Sequence, residues 1–387
     1  MPDAAWSLEC SECGSVAEAT GFPTVCACGR PWLVRYATHP VAAERALPVT
    51  DRGMWGWNGF LPLRPGESPV TLGEGNTPLL DVPRLRQALD LPGLLVKDEG
   101  LNPTGSFKAR GLSAAITRAT LAGATRFVLP TAGNAGVAAS AYGARAGAQV
   151  RIFAPRTTPA VICAQMRAFG GDLVLLDGHI GDCGKASREY AAETGAVDLS
   201  TLKEPYRIEG KKTMGLELAA QGGWRLPDVI IYPTGGGTGL IGMWKAFAEL
   251  REAGWVTGPM PRMFTVQSTG CAPIVRAFDA GTEGAEPWAD PWTIASGLRV
   301  PGPLGDRIML RILRQSGGGA IAVPDQVLSD LADRAMRLEG IDVAPEGGAA
   351  LAAAVTLAQA GAIPREARIV AFNTGAGWLY RDMTGAA

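Results

Sequence analysis

Four cysteines stand close together near the start of the chain: Cys10-x-x-Cys13, then, after twelve residues, Cys26-x-Cys28. Glycine follows Cys13 and Cys28 and permits the tight turn that aims backbone N–H groups at thiolates. Four sulfurs suit a tetrahedral zinc, and four thiolates leave no open position for catalysis. A structural zinc held by Cys10, Cys13, Cys26 and Cys28 is therefore expected, although the second pair is one residue tighter than the usual C-x-x-C. The competing reading is a set of free thiols. Seven cysteines with four in one cluster do not describe a disulfide framework.

Five further stretches carry chemistry. In Asn102-Pro-Thr-Gly-Ser-Phe-Lys108-Ala-Arg-Gly111 a lysine sits where a turn opens a helix. The positive helix end disfavours its charged form, and a neutral amine is what addition to an aldehyde requires. A surface lysine would look the same in isolation. In Pro130-Thr-Ala-Gly-Asn134-Ala-Gly136 the glycines let the backbone approach a ligand, and the Asn134 amide can donate to a phenolate oxygen or merely cap a helix. Tyr232-Pro-Thr-Gly235-Gly236-Gly237-Thr238-Gly239 offers successive N–H groups at a helix start, a nest suited to phosphate, or else a plain turn. No Walker lysine follows, so ATP fits poorly. Thr374, in Asn373-Thr-Gly-Ala-Gly377, is by itself a turn residue. Finally, Ser200, Thr201, Lys203, Arg207, Lys211 and Lys212 place hydroxyls and cations in one stretch, as a phosphate monoester needs and as a solvated basic turn also shows.

The elements that must position these residues follow from hydrophobic periodicity. Residues 1–40 are too few to hold a core, and residues 41–70, rich in Pro, Gly and Trp, read as an irregular connector wrapped on the main body. From about residue 71, short apolar runs (94–97, 126–129, 150–153, 173–176, 229–232, 264–267) alternate with helical stretches (107–122, 135–146, 159–169, 181–194, 239–252, 272–278). This is the α/β class: parallel sheet with helices on both faces, its ligands bound at the carboxyl ends of strands. The chemical stretches fall at those ends. Gly317-Gly-Gly319 reads as a loop. A net charge of −1 argues against nucleic acid, and no apolar run approaches a membrane span. The first residues lack a signal-peptide pattern, so a cytoplasmic location is expected.

Taken together and in order, the four loops resemble those of the fold-type II, tryptophan-synthase-β-like pyridoxal-phosphate enzymes. The entry motif Leu72-Gly-Glu-Gly-Asn-Thr-Pro-Leu79, the cysteine cluster and the segment 198–213 resemble the threonine synthase family among them. The resemblance implies two three-layer αβα domains and a zinc-ribbon-like segment. Residues 1–40 would be the ribbon, 41–110 with 205–387 the larger cofactor-binding domain, and 111–204 a smaller mobile domain. It implies that Lys108 bears the cofactor and moves protons, and that Asn134 lies beside the cofactor's 3-hydroxyl oxygen. It further implies that Gly235–Gly239 hold the phosphate and Thr374 bonds the ring nitrogen. Thr131, Ala132 and Gly133 would take the substrate carboxylate, and Ser200, Thr201 and Arg207 the substrate phosphate. A homodimer is also implied.

The reaction implied is conversion of O-phospho-L-homoserine and water to L-threonine and phosphate. The family pattern has Asn-Ser where this chain has Ser200-Thr201, with one extra residue before Arg207. That departure bears on substrate rather than cofactor. It keeps a serine/threonine dehydratase, or a β-replacement enzyme for another O-activated amino acid, as the alternative.

Overall fold

The computed structural model describes residues 6–41 and 50–381; residues 42–49 of the connector, residues 1–5 and the last six lie outside them. Strands β1 (Trp6–Cys10), β2 (Val16–Glu18) and β3 (Trp32–Tyr36) form an antiparallel sheet of order β2-β1-β3. Every second residue of β1 is buried. Trp6, Leu8 and Val34 join a cluster with Leu112, Ile116 and Tyr206 of the main body. The small sheet therefore shares a core instead of building one. In the connector, Met54, Trp55, Trp57 and Phe60 are buried against Leu216, Leu250 and Trp255.

Ten further strands follow. They are β4 (Leu79–Asp81), β5 (Leu94–Asp98), β6 (Arg126–Pro130), β7 (Gln149–Pro155) and β8 (Asp172–Leu176). The last five are β9 (Val197–Asp198), β10 (Val229–Pro233), β11 (Arg262–Ser268), β12 (Gly319–Val323) and β13 (Ile369–Asn373). One sheet has six strands in the order β12-β11-β10-β13-β5-β4, the other four in the order β8-β7-β6-β9. The central strands β10 and β13 are apolar and wholly buried, as strands covered on both faces must be. Their register sets Val229 beside Ile369, and Ile369 beside Leu94.

Two sequence expectations need correction. The larger sheet is mixed, because β4 pairs antiparallel with β5 at its edge. Three residues are too few to show a periodicity, and such antiparallel edges are common on parallel sheets. Gly319 is also no loop residue but the first of β12, paired with Phe264. A side chain at Gly318 would lie within 1.8 Å of the Met263 carbonyl, so the glycines there serve close approach of two strands.

No helix among the described residues is long and apolar enough to cross a membrane.

Candidate active site

Four strands deliver their carboxyl ends to one cavity of about 740 Å³, within the range of small-molecule sites. From β5 the chain passes through residues 99–107 to the helix Lys108–Leu121. From β6 it reaches the helix Asn134–Arg145, and from β10 the helix Thr238–Glu252. After β13 comes Thr374. Lys108, Thr131, Ala132, Gly133, Asn134, Ser200, Thr201, Arg207, Gly235, Gly236, Gly237, Thr238, Gly239 and Thr374 all line this cavity.

The lysine loop is laced to the end of β13. Ser106 bridges Gly375, the Phe107 amide donates to the Thr374 carbonyl at 3.0 Å, and the Ala376 amide donates to the Gly105 carbonyl at 2.8 Å. Gly105 has φ 71°, and a side chain there would meet the Trp378 ring at 2.9 Å. Lys108 Nζ lies 4.0 Å from the centroid of the Phe107 ring. Burial and then the Arg207 guanidinium push its amine down to about 7, against the opposing pull of Glu346. Near neutral pH a large fraction of Lys108 is thus the nucleophilic free amine.

Beneath this helix lies a network of buried charges. Arg110 donates to both oxygens of Glu99 and of Glu217, and to Thr77 and Thr213. Lys97 completes it on Glu217 at 2.8 Å. Asn102 ties the loop to the entry motif by accepting the Gly75 amide at 3.0 Å.

At the glycine loop, an added Cβ would collide at every glycine. Gly235 would meet the Gly297 carbonyl at 2.3 Å, Gly236 the Thr201 side chain at 2.7 Å, Gly237 Met309 Sδ at 2.2 Å, and Gly239 the Tyr232 hydroxyl at 2.0 Å. Gly237 also has φ 84° at the helix cap. The Tyr232 hydroxyl is buried with no hydrogen-bond partner among the described residues. The result is a bare-backbone cradle with an unpaired polar group beside it, which fits a phosphate-bearing cofactor. Across the cavity, Asn134 Nδ2 approaches the Cβ position of Gly375 at 3.3 Å, so the asparagine and Thr374 loops are in contact.

The segment 198–212 divides in two. Ser200, Thr201, Lys203 and Arg207 face the cavity. The Ser200 hydroxyl and Lys203 both turn to Asp198. Arg207 is buried, donates from Nη1 to the Leu199 carbonyl at 2.8 Å, and leaves Nε without a partner among the described residues. Lys211 and Lys212 do not reach the cavity, contrary to the expectation that they join the phosphate-binding cations. Both lie on buried turns of the helix Tyr206–Gln221. Lys211 donates to the Phe107 carbonyl, and Lys212 pairs with Glu209 at 2.6 Å and Glu249 at 2.8 Å.

Sequence reasoning also missed two wall elements, the loop 290–304 and Glu346 with Tyr380. Glu346 follows Pro345 at the start of the helix Pro345–Gln359, where an acid looks like ordinary compensation of the helix dipole. Only the tertiary structure shows that it faces a cavity.

In the N-terminal segment, the four sulfur atoms of Cys10, Cys13, Cys26 and Cys28 lie within 4.8 Å of one another. Cys10 and Cys28 sulfurs are 3.4 Å apart and those of Cys13 and Cys26 3.7 Å, near the ~3.8 Å edge of a tetrahedron with ~2.3 Å zinc–sulfur bonds. Hydrogen bonds from Ser15 draw Cys13 down to about 6. The Arg30 amide favours the Cys28 thiolate, yet the adjacent Cys10 thiol and partial burial leave Cys28 pushed up to about 12. One negative charge is welcome in this cluster and several are not, a conflict that a dication resolves. The donor set therefore fits zinc.

A buried, partly neutral lysine and a glycine cradle on strand ends of one sheet, facing an asparagine on a strand end of the other, define a pyridoxal-phosphate enzyme. Residues 70–375 match the family model described as "Pyridoxal-phosphate dependent enzyme". Threonine synthase of Methanocaldococcus jannaschii is 32% identical over 372 residues, covering 95% of this chain and 91% of that protein. The Methanosarcina acetivorans enzyme is 32% identical over 376 residues, covering 96% and 91%. Among solved structures, maize serine racemase superposes with a TM-score of 0.69 at 24% identity, covering 80% of this chain and 89% of that one, a likeness of fold alone. The chain belongs to the pyridoxal-phosphate dependent enzyme family, in its threonine synthase branch.

Proposed function

We propose that this protein converts O-phospho-L-homoserine and water to L-threonine and phosphate, with Lys108 bearing pyridoxal phosphate. The observation that carries the substrate is Arg207: a buried guanidinium on the wall of the cavity that holds Lys108, with one N–H unspent and Ser200 and Thr201 on the same wall. Lys108, Lys203, Arg207 and Arg299 outnumber the acids Asp290 and Glu346 around this space, which favours a substrate with a dianionic end.

When bound, pyridoxal phosphate supplies an electron sink for charge formed at the substrate's α-carbon. The chain supplies the rest. Gly235–Gly239 would hold the cofactor phosphate by backbone N–H groups, Asn134 would donate to its 3-hydroxyl oxygen, and Thr374 would meet its ring nitrogen. Thr131, Ala132 and Gly133 take the substrate carboxylate. Lys108 Nζ, free as a neutral amine, accepts the α-proton and returns protons to carbon. Ser200, Thr201 and Arg207 grip the leaving phosphate. Ser200 and Thr201 stand close enough to the glycine cradle, at the Thr201–Gly236 approach, for the two phosphates to share one end of the cavity.

The reading includes a division of labour along the chain. Residues 41–110 with 205–387 form the larger cofactor-binding domain, and 111–204 a smaller mobile one containing the sheet β8-β7-β6-β9. Residues 1–40 are a zinc ribbon, and the enzyme works as a homodimer in the cytoplasm.

A substrate panel on purified enzyme tests the activity. O-phosphohomoserine should yield threonine and stoichiometric phosphate, identified by product mass. Turnover of serine or threonine to an oxo acid, without phosphohomoserine turnover, would instead establish the dehydratase alternative.

A further inference from the structure

Glu346 enters the cavity from the first turn of the helix Pro345–Gln359. Its Oε1 accepts two hydrogen bonds, from the Gly297 amide at 2.7 Å and the Tyr380 hydroxyl at 2.7 Å. Its Oε2 is buried and bonded to nothing among the described residues. A carboxylate that served only to brace the loop at Gly297 would have no use for a second oxygen sealed from water at such cost. Ser296 and Asn134 also face the Tyr380 hydroxyl, so the carboxylate is tied through Tyr380 to the asparagine loop.

The surroundings of Lys108 make the free oxygen meaningful. Arg207 comes from the helix Tyr206–Gln221 and repels its protonated form, and burial and then Lys108 push Lys211 on the same helix well down. Glu346 comes from the opposite element and is the carboxylate that favours protonated Lys108. Burial in turn raises Glu346 above the usual carboxylate range, while the Tyr380 hydroxyl, the backbone amides and lastly Lys108 draw it back. Lys108 must be neutral to add to an aldehyde and positively charged after taking a proton from carbon. Beside Arg207 alone the second state is too costly to hold.

We infer that Glu346 is the counter-charge of Lys108, a positioning residue that keeps the lysine able to carry a proton within the cavity. The inference rests on Lys108 as the cofactor-bearing base, and it is independent of which amino acid is the substrate.

The test is the pH dependence of pyridoxal-phosphate capture by the full chain freed of cofactor, followed by absorbance. Only the neutral amine adds, so the parent's capture rate should have its midpoint near the lysine's value of about 7. Glu346→Gln keeps an acceptor for Gly297 and Tyr380 but removes the charge. Its midpoint should fall by about one pH unit or more, since an opposite charge at close range shifts a pKa by ~1–3 units. In the reconstituted enzyme, kcat should fall about 10-fold or more with KM little changed, as expected when a proton-handling group is disturbed. Glu346→Asp retains the charge on a shorter arm and should show a smaller shift, which keeps the test available if the glutamine variant does not fold. Tyr380→Phe keeps the charge and should leave the midpoint in place. An unmoved midpoint in both Glu346 variants, or an equal shift in Tyr380→Phe, overturns the inference. Absence of phosphate release from O-phosphohomoserine by the parent would sink the substrate proposal while leaving the capture midpoint readable.

Discussion

Lys108 and Arg110 are two residues apart on one helix, and the protein treats their charges in opposite ways. Arg110 is wholly buried and saturated: its guanidinium meets Glu99 at 2.6 and 2.8 Å, Glu217 at 2.6 and 2.8 Å, Thr213 at 2.9 Å and Thr77 at 3.1 Å. Burial alone would raise Glu217, but Arg110 and Lys97 hold it down at about 2. Arg110 and Glu217 in this network hold each other charged, an arrangement that supports structure. Lys108 has instead burial beside an aromatic ring, a repelling guanidinium and the Glu346 carboxylate, which leave it at about 7. Arg207 and Glu346 are likewise buried with an atom unsatisfied. Burying charged groups with unsatisfied atoms is costly, and two such groups, Arg207 and Glu346, line the one cavity that holds Lys108.

The largest effect that sharpens this contrast is at the lysine. Lys108→Ala should abolish the borohydride-sensitive cofactor absorbance and nearly all turnover, while the fold measured by circular dichroism stays intact. A variant that retains full activity would remove the basis of the site. Arg110→Met should do the reverse. It strands Glu99 and Glu217, and breaking a buried pair costs about 3–5 kcal/mol, readable as a lower urea midpoint. Arg207→Ala removes a cation with few partners, so its unfolding midpoint should hardly move. Its kcat/KM for the phosphorylated substrate should fall about 10- to 150-fold, the equivalent of ~1.5–3 kcal/mol for a charge-assisted bond, with little change for serine. If Arg207→Ala costs as much stability as Arg110→Met, the two arginines are both structural and the contrast fails. The smallest effect on catalysis is expected at the ribbon. Cys13→Ser should release zinc, measured at about one per chain in the parent by metal analysis, and expose residues 6–36 to proteolysis without altering the cofactor absorbance.

The sequence was most legible where one physical rule decides position. Strand-to-helix loops with glycines mark the sheet ends where ligands bind, so Lys108, Asn134 and Gly235–Gly239 stood out as candidates, and the resemblance to a family joined them and Thr374 in one site. Where two rules compete, it was not. Lys211 and Lys212 follow Arg207 closely in a cationic stretch, but one helix turn carries them from the cavity wall into the core, where Phe107, Glu209 and Glu249 receive them. Glu346 looks like a helix-dipole acid, and its exposure to the cavity depends on residues 297 and 380, distant in sequence in both directions. The antiparallel pairing of β4 is set by neighbours and not by its three residues.

The lacing of Ser106 to Gly375 has a consequence for how the protein is made. The lysine loop leaves the ribosome well ahead of its brace, which follows β13. At ~5–20 residues per second, the interval between the two is on the order of tens of seconds. Through that interval the loop lacks the contacts that fix Lys108, so nascent chains should not capture cofactor until β13 has emerged and entered the sheet between β5 and β10. Cofactor loading becomes a report that β13 has been made and seated.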